Sequence, residues 1–143
     1  MKKKTIRIIA IGILLAMVLS TAAFAAINAS AYITATNAWI TRDSNDSSTV
    51  EVNFYIVGTN IMDQIGVKKI LLYEKTGNTW YLVKTYNYTD ALYESTLMRA
   101  NSSAHVGYVS YEGSATKEYY ATVKFYSEKD GGSDNYNQNT PVG

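Results

Sequence analysis

Alternation of apolar and polar residues constrains the fold of this 143-residue chain more than any other feature of its sequence. Val50, Val52, Phe54 and Ile56 occupy one parity of a short run, and the residues between them are glutamate, asparagine and tyrosine. Successive side chains of a β-strand point to opposite faces, so this pattern predicts a half-buried strand. Residues 26–143 show no helical periodicity, and we therefore expect an all-β fold.

Similar runs recur along the chain, separated by clusters of Gly, Asn, Asp and Ser. Residues 58–60 are expected to end the second strand, and residues 75–78 to form a hairpin turn. Strands without crossover helices indicate an antiparallel two-sheet sandwich. We predict seven strands, at residues 32–41, 50–56, 67–74, 80–88, 106–111, 119–126 and 133–138.

Two features of this sandwich stay open at the level of sequence. The inner faces of the third and fourth strands are not assigned, because both parities contain apolar residues and a bulge could shift the register. Residues 89–103 fit either a short helical turn or a loop at the sandwich edge.

The first 25 residues have the three parts of a secretory signal peptide. A basic region (Lys2, Lys3, Lys4 and Arg7) precedes the apolar residues 8–19, and Ala23-Phe24-Ala25 matches a cleavage site. An uncleaved membrane anchor is the alternative, since residues 8–26 approach the roughly 20 residues of a membrane span.

We expect a signal peptide at residues 1–25 and a single domain at residues 26–143. Its core covers about residues 31–128, and residues 129–143 form an edge strand or tail. A second small-x-small match, Ala29-Ser30-Ala31, leaves the mature start open. The localisation we expect is secreted, outside the cell.

Charge and cysteine content exclude several classes of function. Four of the 13 basic side chains lie in the signal peptide, which leaves nine against 12 acidic ones and a net charge of −3. We therefore expect no nucleic acid partner, and no membrane association after signal cleavage. The absence of cysteine excludes cysteine-ligated zinc, a thiol nucleophile and a cysteine-linked lipid anchor.

Three segments resemble a group of small, signal-peptide-bearing secreted proteins of Gram-positive bacteria. They are Met62-Asp63-Gln64-Ile65-Gly66, Lys84-Thr85-Tyr86 and Tyr119-Tyr120-Ala121-Thr122-Val123-Lys124-Phe125-Tyr126. The resemblance covers about residues 29–133 and implies export and a single immunoglobulin-like domain. Because the chain has no cysteine, the fibronectin III-like variant fits better than the antibody type. The resemblance implies no activity.

Tyr119, Ala121, Val123 and Phe125 also look like the sixth strand of such sandwiches. In that strand a tyrosine hydroxyl ties the preceding corner to the backbone. Tyr119 is our candidate for this structural role, with Val123 and Phe125 in the core.

No set of residues in the sequence points to catalysis, so we expect no enzyme and no cofactor. His105 is the only histidine, and we expect it to be an exposed or satisfied strand residue. Asp43-Ser44-Asn45-Asp46 offers oxygen ligands to a hard cation, but it lacks EF-hand spacing and reads better as a solvated turn. A hydrolase of unrecognised type is the weakest of our hypotheses.

Tyrosine is in excess, with 13 residues that all follow residue 31. Exposed aromatic rings can stack on sugar rings or fill a protein interface. High strand propensity is the alternative reason for this excess. The candidate ligand-binding residues are Trp80, Tyr81, Tyr86, Tyr88, Tyr55 and Tyr108.

The leading hypothesis is a secreted, non-catalytic binding or adhesion domain that acts through loops or an exposed sheet face. A carbohydrate-binding module is the second hypothesis. The partner we expect is therefore a protein or a carbohydrate at the cell exterior.

Overall fold

Residues 30–143 are described by a computed structural model of the chain. Residues 1–29 lie outside the described residues. They include the predicted signal peptide, for which cleavage and retention as a membrane anchor were the alternatives, and Ala29 of the second cleavage motif. Within residues 30–143, no helix combines the length and the apolar character needed to cross a bilayer.

Six strands and one helical turn make up the described chain. They are β1 (Ile33–Arg42), β2 (Thr49–Thr76), β3 (Thr79–Asn87), α1 (Glu94–Leu97), β4 (Met98–Glu112), β5 (Tyr119–Lys129) and β6 (Gly132–Asn139). Every strand pair is antiparallel, and all six strands belong to one sheet. The predicted all-β antiparallel fold is confirmed.

Strand β2 organises the sheet, because its 28 residues pair with four other strands. Residues 49–57 lie between β1 and residues 104–112 of β4, and we call this region the first half. Residues 62–76 are the second half: β5 pairs along one side of them, with β6 beyond it, and the other side pairs first with residues 98–102 of β4 and then, from residue 69, with β3.

The structure corrects the predicted strand end at residues 58–60. The chain bends there and continues, and the ladder between β2 and β4 shifts register between Val57 and Met62. A Cβ atom on Gly58 would lie 2.8 Å from the Met62 side chain, so glycine permits the sharp inner corner. The second and third predicted strands are therefore one strand. The described residues form six strands in one curled sheet, and no second sheet is formed among them.

The core lies on the concave face of this sheet. Val50, Val52, Phe54 and Ile56 are fully buried, as their parity predicts. In the second half, the ladders shift register between Val67 and Lys69 and between Leu72 and Tyr73. These bulges place the apolar side chains of both parities on the buried face, which is why the sequence pattern alone left that face unassigned. The buried hydrophobic residues of β2 in this half are Met62, Ile65, Val67, Ile70 and Leu72.

Curling brings β6 close to β1, and side chains join the two strands. The Tyr32 N–H donates to Asp134 Oδ2 at 2.9 Å, and Ser30 Oγ also bonds this carboxylate. Farther along, Gln138 bonds Thr36 and Asn37 at 3.2 Å each. Polar side chains therefore close this side of the curled sheet.

A short segment, residues 88–97, spans the opposite side, between β3 and β4. We call it the strap. It contains α1, and Leu97 at its end is fully buried. The strap lies so close to the inner face of β4 that a Cβ atom on Gly107 would be 2.8 Å from the Thr96 carbonyl oxygen. The ambiguous residues 89–103 thus form a helical turn followed by the start of β4.

Candidate functional site

The outer face of the first half carries an uncovered group of apolar side chains. Trp39, Tyr55, Val106 and Tyr108 alternate with the buried residues of β1, β2 and β4, so they point away from the core. We call these four residues the outer patch. Val106 is 70% exposed and Tyr108 is 55% exposed. Single exposed apolar residues are ordinary, but adjacent ones mark candidate binding surfaces.

Strand register places the outer patch in two adjacent rows. Tyr55 lies opposite Val106, whereas Trp39 and Tyr108 flank Asn53 from the two sides. The rings of Trp39 and Tyr55 meet edge to face, with centroids 6.4 Å apart. The Asn53 amide donates to Thr41 Oγ1 at 2.8 Å, which holds a polar group between the aromatic ones. Apolar rings around an amide suit a ligand with both apolar and polar groups.

The outer patch ends at an open strand edge. Over residues 104–112, β4 pairs with β2 on one side, and among residues 30–143 no strand pairs with its other side. The carbonyl oxygen of Ser110 points toward this side, where it accepts a hydrogen bond from the Tyr86 hydroxyl at 2.8 Å. Alternate residues of a strand direct their N–H and C=O groups to the same side, so those of Val106 and Tyr108 also face the open edge.

A hollow of about 530 Å³ lies between this edge and the strap. Leu92, Tyr93 and Thr96 line it from the strap, and residues 105–110 line it from β4. Leu92 is 74% exposed and adds an apolar side chain to the wall that the strap provides. Unpaired backbone groups next to an apolar wall suit an extended polypeptide.

His105 lies beneath this edge on the inner face of β4, with its side chain packed against Phe54. Its Nε2–H donates to the Thr96 carbonyl at 2.7 Å, whereas Nδ1 is buried and has no hydrogen-bond partner among residues 30–143. Burial lowers the pKa of His105, and the charge of Arg99 lowers it further. The ring is buried, and only one of its two nitrogens has a hydrogen-bond partner in the described part of the chain. This corrects the prediction that His105 is an exposed or satisfied strand residue.

The six predicted ligand-binding residues do not form one site. Tyr55 and Tyr108 belong to the outer patch, whereas Trp80 and the 55% exposed Tyr81 lie on β3 in the second half. Tyr88 is half-buried at the start of the strap. Tyr86 is in the core with 1% exposure, and burial raises the pKa of its hydroxyl. The Tyr86 ring therefore supports the fold and offers no surface to a ligand.

Trp80 belongs to a second aromatic cluster, formed with Tyr73 and Tyr120 on the outer face of the second half. Tyr73 and Tyr120 stack at 4.8 Å, and Trp80 meets Tyr120 at 4.8 Å and a steep angle. Sequence reasoning missed Tyr73 and Tyr120, because only the strand register places them opposite each other. It also missed Trp39 and Val106, whose outward parity was visible in the predicted strands.

The three residues predicted to have structural roles are all fully buried. Val123 and Phe125 lie in the core. The Tyr119 hydroxyl accepts a hydrogen bond from the Ser114 N–H at 2.9 Å and donates to Glu74 Oε2 at 2.7 Å. It thus ties the turn before β5 to the sheet, as a corner tyrosine does. Burial and the bond to Glu74 raise its pKa.

The acidic turn uses its carboxylates for its own backbone. Asp43 Oδ1 accepts a hydrogen bond from the Asn45 N–H at 2.7 Å, and Asp46 Oδ1 accepts one from the Ser48 N–H at 2.9 Å. Hydrogen bonds from Ser48 and Thr49 lower the pKa of Asp46. Among the described residues, no group of three or more His, Cys, Asp or Glu residues could hold a metal ion.

Comparison with known proteins adds no relative: no family model, no curated protein and no solved structure gives a significant match to the chain.

Proposed function

We propose that this chain is a secreted, non-catalytic binding domain whose ligand surface is the outer patch and the adjoining edge of β4. The observation that carries the proposal is the exposure of Val106 and Tyr108 beside the open edge. Aromatic rings, an amide and free backbone groups bind and orient a partner, and no bond need be broken. Export to the cell exterior rests on the signal-peptide pattern of residues 1–25.

The ring arrangement favours the first half over the second as the ligand surface. Tyr73, Trp80 and Tyr120 are all half-buried and are joined through Tyr120, so a ligand would compete with contacts across the whole cluster. In the outer patch only Trp39 and Tyr55 contact each other, whereas Tyr108 has no aromatic partner among residues 30–143 and its ring is open to solvent. Burying such a surface on binding yields about 25 cal/mol per Å² of apolar area removed from water.

Carbohydrate binding at the second aromatic cluster is the alternative. It is favoured by three lysines on the same face that form no salt bridge within residues 30–143, Lys68, Lys69 and Lys124. Lys69 and Lys124 lie opposite each other, and the Lys68 ammonium lies over the Tyr126 ring. A sugar polymer with acidic groups would suit this surface. The immunoglobulin-like class of the fold also remains our proposal, supported by the corner bonds of Tyr119.

Two single-tryptophan variants test the location of the ligand surface. W80F leaves Trp39 as the reporter of the outer patch, and W39F leaves Trp80 as the reporter of the second cluster. Both would be titrated with peptidoglycan, a neutral β-glucan, polygalacturonate and unfolded casein. We expect at least one of these to change the emission of Trp39 in W80F and to leave that of Trp80 in W39F unchanged.

The converse result, a response of Trp80 alone, would move the site to the second half and support the carbohydrate alternative. If none of the four probes changes the emission of Trp39 or of Trp80, the result would count against a binding function on either half. Tyr108→Ala should weaken any binding seen by Trp39 about tenfold or more, since loss of a central aromatic anchor typically costs 2 kcal/mol or more. Leu82→Ala is the matched control, because Leu82 is also exposed but lies on β3.

A further inference from the structure

We infer that the open edge of β4 accepts an extended peptide of a partner protein as an additional antiparallel or parallel strand. This inference rests on the proposed function and adds the class of the ligand. Strand addition needs a row of free backbone groups and pockets beside them for alternate side chains. Val106 and Tyr108 supply the first, since the Ser110 carbonyl is already bonded to the Tyr86 hydroxyl, and the hollow against the strap supplies the second.

The sequence of this edge lacks the usual protection against strand pairing. Soluble proteins guard free edges with charged residues, proline or bulges. Residues 100–111 contain no Lys, Arg, Asp, Glu or Pro, and the ladder from residue 104 to residue 112 has no register shift. By contrast, β3 carries Lys84, and the edge of β6 is joined to β1 by side chains. The unguarded edge is therefore the one beside the hollow.

The strap determines which partner fits. It forms one wall of the hollow through Leu92, Tyr93 and Thr96. A second copy of this chain that paired through its own β4 would bring the acidic residues of two straps and two β4 strands to one interface. A single extended segment adds no such charge, and its side chains can enter the hollow on alternate residues. The occupant is therefore a slender peptide and not a second folded copy.

Charge on the strap and at the end of β4 specifies the ends of that peptide. Asp90 and Glu94 lie on the strap, and Glu112 is the last residue of β4; all three are exposed, and within residues 30–143 none has a basic side chain within 4 Å. Arg99 is the one basic residue of the strap and β4. Three acidic groups against one basic group favour a peptide whose β-branched centre is flanked by lysine or arginine.

The test uses the acetylated, amidated peptide Lys-Thr-Val-Thr-Val-Thr-Val-Lys and amide hydrogen exchange of the chain without its signal peptide. We expect saturating peptide to slow exchange at Val106 and Tyr108 at least tenfold, and to leave the amides of β3 unchanged. Val106→Lys, which places a charge on the edge, should weaken binding at least tenfold. Leu82→Lys is the matched control and should bind as the parent does.

A version of the peptide with glutamate at both ends should bind at least threefold more weakly, and equal binding would refute the charge argument. Protection at β3 in place of β4, or protection at Val106 without peptide in a concentration-dependent dimer, would refute the inference. A Trp39 response to a sugar, with no edge protection by the peptide, would also overturn it and would leave the proposed binding function standing.

Discussion

The two halves of β2 present aromatic residues on the same outer face, yet the rings end in different surroundings. In the second half, Tyr73, Trp80 and Tyr120 contact one another over a region where β3 and β5 flank β2. In the first half, Tyr108 lies on a strand with one paired side only, and its ring stays open. Strand neighbours thus decide whether an outward aromatic residue stabilises the sheet or remains free to bind.

The two halves also differ in how their sides are closed. Hydrogen-bonded side chains of β1 and β6 join the strands on one side. On the other side the strap packs beneath β4, and it leaves His105 Nδ1 without a partner. The polar side chains between β1 and β6 satisfy one another through hydrogen bonds. The strap leaves the buried His105 Nδ1 unsatisfied within the described residues, and a hollow lies between the strap and the open edge.

Core truncations should have the largest effect and test whether the halves unfold together. Phe54 fills the first half and Phe125 the second, and both are fully buried. We expect Phe54→Ala and Phe125→Ala each to lower the free energy of unfolding by about 3–5 kcal/mol. Urea unfolding followed by Trp39 emission in W80F and by Trp80 emission in W39F would measure this.

Because β2 runs through both halves, the two tryptophans should report one transition in each variant. Separate midpoints for Trp39 and Trp80 would show that the bend at Gly58 divides the sheet into independent units.

Removing single hydroxyl groups should have an intermediate effect that differs between the two regions. Tyr119→Phe leaves the Ser114 N–H without a partner and removes the hydrogen bond to the Glu74 carboxylate, which keeps its ion pair with Lys117, and we expect a loss of about 2 kcal/mol. Tyr86→Phe removes one bond, to the Ser110 carbonyl, and we expect about 1 kcal/mol. Thermal unfolding of the two variants gives the comparison. Equal losses would mean that the corner bonds add nothing beyond an ordinary hydrogen bond.

The smallest expected effect is a pH dependence of the strap. The folded pKa of His105 is lowered by burial, so the unfolded chain binds more protons below the ordinary value of 6.5. Stability should therefore fall as the pH drops below about 6.5 and level off below the folded pKa. Exchange of the Leu97 amide, which bonds the Tyr93 carbonyl in the strap, should quicken over this range after correction for intrinsic rates.

His105→Gln should abolish this pH dependence, since its side chain does not titrate. The Val123 amide in β5 is the internal reference and should follow global unfolding only. A pH dependence that survives His105→Gln would assign the effect to another group.

Much of the secondary structure could be predicted, because period-two alternation is a local property. The predicted strands at residues 32–41 and 119–126 lie within one or two residues of β1 and the first part of β5. The break at residues 58–60 could not be judged, since Gly58 and Asn60 favour turns in isolation. Packing of Met62 over Gly58 decides that the chain bends and continues.

The candidate site was predicted in part. Tyr55 and Tyr108 were identified from residue type, and Tyr86 was included for the same reason although its ring is in the core. A valine in the sequence gives no sign of ligand binding, and Val106 became a candidate only because the structure places it on an unpaired strand edge. Residue type indicates what a side chain can do, but burial decides whether a ligand can reach it.

Alternation in the sequence was enough to predict an all-β fold for residues 30–143 and the buried side chains of the clearest strands, because strand geometry sends alternate residues to opposite faces. Only the tertiary structure decided which strands are neighbours, that β2 serves both halves, and which edge is open. Strand pairing depends on hydrogen bonds between residues far apart in the chain, and alternation within one strand does not specify which strand lies beside it.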